Sequence, residues 1–176
     1  MRGRPLLAAL SILAAAAAAP LPAIAAPAAP AVTLTLVGSG DKFDSRALLG
    51  KKILVLRFQA SWCKVCVDEA PGIQRLYERY RDRGVEVVAV HVQDGRDDTQ
   101  RFLESHRATY PAGLDPSLRV AQRFGFKRTP YTVVIDRKGE IVARLHGSAD
   151  EARLGGILDP LLQSRPPRKP PPRRLQ

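Results

Sequence analysis

The 176-residue sequence is poor in metal-binding and cross-linking side chains: it has two cysteines, Cys63 and Cys66, and three histidines. With no second cysteine pair, and with His91, His106 and His146 scattered singly, the four-ligand set of a structural zinc site is not available. No cysteine precedes Cys63, which excludes lipid attachment at a signal-peptide cysteine. The N-terminal apolar run, Leu6 to Ala19, is fourteen residues long. That is short of the ~20 that span a bilayer comfortably. Gly3 separates Arg2 from Arg4, so a twin-arginine signal is absent, and no internal repeat is visible.

What the N-terminus does contain reads as a secretory signal over residues 1–25, with an uncleaved anchor as the alternative. Arg2 and Arg4 supply a positive start, Pro20 and Pro22 end the apolar run, and Ala23-Ile24-Ala25 has the small–x–small form of a cleavage site. The mature chain is expected to begin near Ala26, with 26–31 as a linker. The formal charge of +11 is unevenly placed: two positive charges lie in the signal, and five (Arg165, Arg168, Lys169, Arg173, Arg174) lie in a proline-rich tail. The middle therefore carries only about +4, a modest balance that does not suggest a nucleic-acid face. Residues 165–176 read as an extended or disordered, solvated appendage.

Between these ends, residues 32–164 read as one globular domain, consistent with a hydrophobic content of 45%. Val32–Val37 alternates as a strand, and Ile53–Phe58 and Val85–Val92 are near-continuous apolar strands of a sheet covered on both faces. Helical spacing runs from Cys66 to Arg83, where Gly84 stops it, with Pro71 expected to kink the helix. Asp97–Arg107 reads as a helix and Tyr110–Leu114 as a short strand. Pro116–Phe124 reads as a helix with Asp115 as N-cap and Pro116 in first position. Tyr131–Asp136 and Glu140–His146 form a hairpin-like pair, and Asp150–Leu162 is a last helix weakened by Gly155, Gly156 and Pro160. Alternating strands and helices with a closing antiparallel pair call for an α/β fold: a three-layer α/β/α sandwich around a mixed sheet.

The cysteines stand three apart, in Trp62-Cys63-Lys64-Val65-Cys66. As a staple, so short a loop contributes about 2 kcal/mol, against ~4.7 for a loop of about 100 residues. The spacing suits redox exchange better. A Cys63 that caps a helix would face unpaired N–H groups and the positive end of the macrodipole, which favours thiolate over thiol. Cys66, one turn in, would resolve the mixed disulfide. A copper-binding chaperone using both thiolates and one histidine stays open as the alternative. The single histidines otherwise read as structural or exposed.

Phe58-Gln59-Ala60-Ser61-Trp62-Cys63-Lys64-Val65-Cys66, followed by Glu69 and Pro71, resembles the active-site stretch of the TlpA/ResA-like branch of the thioredoxin superfamily. Gly125 to Asp136 resembles the segment that carries that family's cis-proline, and Val85 to Tyr110 resembles its inserted strand and helix. The resemblance covers about residues 32 to 162 and implies a thioredoxin fold with a TlpA/ResA-type insertion. It implies Cys63 as nucleophile, Cys66 as resolving thiol, Glu69 as the carboxylate that tunes thiol ionisation and moves protons, and Pro130 as a cis-proline facing the cysteines. Trp62 would shield the sulfurs, and Thr129 would offer backbone groups to a bound peptide. Lys64 and Val65 would join them in binding substrate. It further implies a disulfide-containing protein substrate, such as apocytochrome c or a copper-site protein of a respiratory oxidase. A membrane thiol donor, no cofactor or metal, and a monomer in the periplasm or on the outer membrane face complete the expectation.

Three departures stand out. Lys64-Val65 lacks the proline often found before the second cysteine, and the Lys64 charge should favour the thiolate. Gln59 replaces a common aromatic. Arg57 stands in an apolar strand where Asp or Asn is usual, and a buried Arg needs a partner. Glu69 is the expected partner; the alternative is that Arg57 snorkels to the surface.

Overall fold

The computed structural model describes residues 26–164; the expected signal over 1–25 and the basic tail over 165–176 lie outside the described residues. Aliphatic runs build the centre of the sheet: β3 (Ile53–Gln59) and β4 (Val85–Val92) pair in parallel, Ile53 opposite Val85 through Gln59 opposite His91. Strand β3 also pairs antiparallel with β6 (Tyr131–Ile135), and β6 with β7 (Ile141–His146). At the far edge β5 (Ala112–Asp115) pairs parallel with β4, giving the order β5-β4-β3-β6-β7. The expected mixed sheet is thus present. Strand β4 lies inside it, and α2 (Arg96–Ser105) connects β4 to the edge strand β5.

Because side chains alternate along a strand, β3 serves two cores. Leu54, Leu56 and Phe58 face one side with Val88, Val90, Val133 and the pair Cys63 and Cys66. Ile53 and Val55 face the other, against Ile73, Leu76 and Tyr80 of α1 (Lys64–Tyr80) and Leu154 and Leu158 of α4 (Glu151–Gln163). Leu103 of α2 packs on that same side. The opposite face is covered by α3 (Arg119–Arg123) and by a small antiparallel pair, β1 (Thr33–Thr35) and β2 (Lys42–Asp44).

The boundaries correct several expectations. The first strand is shorter than Val32–Val37, and its partner β2 was not foreseen, because Lys42-Phe43-Asp44 is too short to show a period. The third helix begins at Arg119, not Pro116, and Leu118 (φ 62°) precedes it. Asp115 is the last residue of β5, yet its carboxylate still accepts from the N–H groups of Val120 and Ala121, so it caps the helix from a distance. Helix α1 starts two residues before Cys66 and continues through Pro71 as one element. After a short 3-10 turn, Gly84 (φ 91°) ends the segment in a left-handed conformation that glycine adopts without strain. Residues 27–29, within the stretch read as a linker, are tied to the domain: Ile141 N–H donates to Pro27 and Ala29 N–H donates to Gly139.

Candidate functional site

Strand β3 leaves the sheet at Gln59 and turns through Ala60-Ser61-Trp62, the turn closed by Cys63 N–H donating to Ala60 C=O at 3.2 Å. Cys63 is the N-cap of α1, and its Sγ accepts from the Cys66 N–H at 3.2 Å. The sulfur therefore sits where the first turn of a helix leaves its N–H groups unpaired. Cys63 and Cys66 are joined as a disulfide, with Cα atoms 5.2 Å apart. Both cysteines are buried, but not equally: Cys63 is 7% exposed and Cys66 is 0% exposed. Trp62 and Val65, which flank Cys63 and Lys64 in the chain, stand out at 60% and 43% exposure as an apolar rim.

The antiparallel register sets Tyr131 opposite Phe58, so Pro130 enters β6 at the same end of the sheet where β3 leaves for the cysteines. The Thr129–Pro130 bond is cis, as the resemblance implied; Pro130 is buried, and Thr129 is half-buried. The Pro130 carbonyl accepts from Gly147 N–H at 2.9 Å. The Lys64 ammonium lies with the Asp68 carboxylate at 3.1 Å, one turn along α1 and in solvent.

On the α1 side of β3, Arg57 is fully buried, which excludes the snorkelling alternative. Its guanidinium donates to Glu69 Oε2 at 2.6 Å, to Gln59 Oε1 at 3.1 Å and to Thr132 Oγ1 at 3.3 Å. Glu69 takes two further donors, the Ser148 hydroxyl and, at 3.0 Å, the Ala149 N–H. Its outer edge meets solvent in a groove of about 770 Å³ between α1 and α4, lined by Asp68, Gly72, Glu151 and Gly155 among others.

Sequence reading missed what lies beyond Gln59. The Gln59 amide meets His91 Nε2 at 2.9 Å, and His91 Nδ1 meets Asp94 Oδ2 at 2.8 Å. Asp94 also accepts from Ser61 N–H at 2.7 Å and from Ser61 Oγ at 2.9 Å. Burial alone would push the Asp94 carboxyl up. The hydrogen bonds from His91 and Ser61 outweigh burial and hold it below the ordinary carboxylate value. Among the described residues, no group of three or more His, Cys, Asp or Glu is placed to hold a metal. Both ring nitrogens of His91 are already engaged, and His106 Nδ1 is bonded to the Phe102 carbonyl.

The fold and this arrangement define a class: a thioredoxin-fold protein with a paired-cysteine centre at a helix N-terminus and a cis-proline at the same end of the sheet. Comparison with known proteins agrees. Residues 25–144 match the AhpC/TSA family, and the chain belongs to that family. It is 33% identical over 103 residues to the thiol-disulfide oxidoreductase ResA of Halalkalibacterium halodurans, covering 58% of each chain. It is 28% identical over 119 residues to the ResA of Bacillus thuringiensis, covering 68% of each. Among solved structures it resembles a thiol:disulfide interchange protein of Chlorobium tepidum designated DsbE, at 25% identity and a TM-score of 0.71, over 79% of this chain and 98% of that one. The match thus spans little more than half the length of the first curated relative.

Proposed function

We propose that the protein is an exported thiol–disulfide oxidoreductase that reduces disulfides in partner proteins. The observation that carries this reading is the asymmetry of the pair: Cys63 caps α1 and keeps a 7% exposed edge, while Cys66, one turn in, keeps none. In the reduced protein the Cys63 thiolate, favoured by the helix terminus, attacks one sulfur of a substrate disulfide and displaces the other as a thiol. Cys66 then loses its proton and attacks Cys63 Sγ. The second substrate sulfur leaves, and the Cys63–Cys66 disulfide closes, so two electrons pass to the substrate.

The apolar rim of Trp62 and Val65, with the Lys64 stem, suits an extended polypeptide, and Thr129 before Pro130 offers backbone groups to pair with it. Glu69 takes the proton-moving role that the resemblance implies, a reading supported by its position one turn beyond Cys66 and on the lining of the α1–α4 groove. Electrons would return through a thiol donor at the membrane. The signal-like residues 1–25 support an extracytoplasmic location, and a cytochrome c or oxidase precursor is the class of client that the sequence resemblance implies. The copper-carrier alternative gains no third ligand from the described residues.

The test is reduction of insulin by the reduced protein, followed by redox titration of the couple. Turnover with a strongly reducing potential is expected. Stoichiometric Cu(I) binding without turnover would refute the proposal.

A further inference from the structure

We infer that His91 and Asp94 are positioning residues that hold the Ser61 turn, and through it Cys63, in the geometry the reduced enzyme needs. This rests on the oxidoreductase reading above.

Hydrogen-bond direction makes the network determinate. The Arg57 Nε–H can only donate, so the Gln59 atom facing it is the carbonyl oxygen, and the Gln59 NH₂ faces His91. An NH₂ donates, so His91 Nε2 must be bare and the ring proton must sit on Nδ1, where it is given to Asp94. Asp94 accepts two further bonds, from the N–H and the hydroxyl of Ser61. Arg57, Gln59 and His91 are fully buried and Asp94 nearly so, so water does not compete for these bonds. A second proton on His91 would point an Nε2–H at the Gln59 NH₂, donor against donor. The series is therefore a fixed strut, and it does not pass a proton through the imidazole.

Ser61 is the second residue of the turn whose fourth is Cys63. With the disulfide closed, Cys63 is also tethered to α1 through Cys66. On reduction that tether is lost. The sulfur is then kept over the helix terminus by the turn, its cap bond and the Asp94 grip. Releasing the grip costs the reduced form more than the oxidised form and shifts the equilibrium toward the disulfide.

The test uses Asp94→Ala and Asp94→Asn in the purified protein. Asparagine keeps the contacts and removes the charge: its carbonyl can accept from His91 Nδ1–H and Ser61 N–H, and its NH₂ can donate to the Ser61 hydroxyl. The Cys63–Cys66 couple is equilibrated against glutathione, and oxidised and reduced forms are melted separately. For Asp94→Ala the expected result is roughly a tenfold shift toward the disulfide, about 30 mV more negative, with the reduced form losing more melting temperature than the oxidised. Asp94→Asn should return to within about twofold of the parent. Equal loss in both redox forms with an unmoved potential would overturn the inference, as would an Asp94→Asn that behaves like Asp94→Ala. If Asp94→Ala does not fold, Ser61→Ala removes one of the two grips; a smaller shift in the same direction is expected, and an unmoved potential overturns the idea. These readouts need no turnover, so failure of the parent to reduce insulin strikes the functional reading separately.

Discussion

Removing one partner of the Arg57–Glu69 pair should be costly, and costlier from the glutamate side. The guanidinium is fully buried, and the Glu69 side chain is 11% exposed. Glu69→Ala leaves a cation facing only the neutral Gln59 and Thr132. Arginine cannot shed its proton to escape, so the loss belongs at the upper end of the about 3–5 kcal/mol typical of a broken buried pair. Arg57→Met keeps most of the stem volume. It leaves a carboxylate still served by Ser148 and Ala149, open at its outer edge and able to take up a proton, so about 3 kcal/mol or less is expected. The double variant Arg57→Met/Glu69→Leu removes both charges and should recover most of the loss. Urea unfolding of the oxidised protein, followed by far-ultraviolet circular dichroism, measures all three. At roughly 3 °C per kcal/mol, Glu69→Ala should lower Tm by about 10–15 °C. An Arg57→Met loss as large as that of Glu69→Ala, or a Glu69→Ala loss under about 1 kcal/mol, would refute the argument that the buried guanidinium depends on this carboxylate.

Three further outcomes follow from the site. Cys63→Ser should abolish insulin reduction, whereas Cys66→Ser should accumulate a mixed disulfide that mass spectrometry detects; capture through Cys66 instead would reverse the assigned roles. Trp62→Ala should slow reduction of a protein disulfide several-fold more than that of a small-molecule disulfide, because the exposed indole offers contact area only to a polypeptide; equal slowing of both would argue against that role. The depressed Asp94 carboxyl stabilises the fold above the ordinary Asp value of about 3.9, and this contribution is lost as pH falls through its lower folded value. Urea midpoints of the parent should therefore fall faster below about pH 4 than those of Asp94→Asn; parallel curves would count against the assignment.

How far the site could be read from sequence depends on where each partner sits. Arg57 was visible as a charged residue in a strand of otherwise apolar character, so it needed a partner, whereas Gln59, just past the strand read as Ile53–Phe58, registered only as a replaced aromatic. Glu69 could be paired with Arg57 in advance because helical spacing placed it one turn beyond Cys66, over the same end of β3. The strand order, once known, brings Thr132 opposite Arg57 and His91 opposite Gln59 by register alone. His91 read as a lone structural histidine because nothing in its own neighbourhood signals a partner 32 residues away. Asp94 and Ser61 were harder still, since each lies in a loop whose direction no periodicity records. The same logic explains the missed β2 and the misplaced start of α3: short pieces are shaped by what they pack against, while the long apolar runs of β3 and β4 declare themselves. Polar residues inside such a run are therefore its most informative positions. Burying them is tolerable only if neighbouring strands and loops meet every donor and acceptor, and here that requirement leads from a lone arginine to the turn that carries the reactive sulfur.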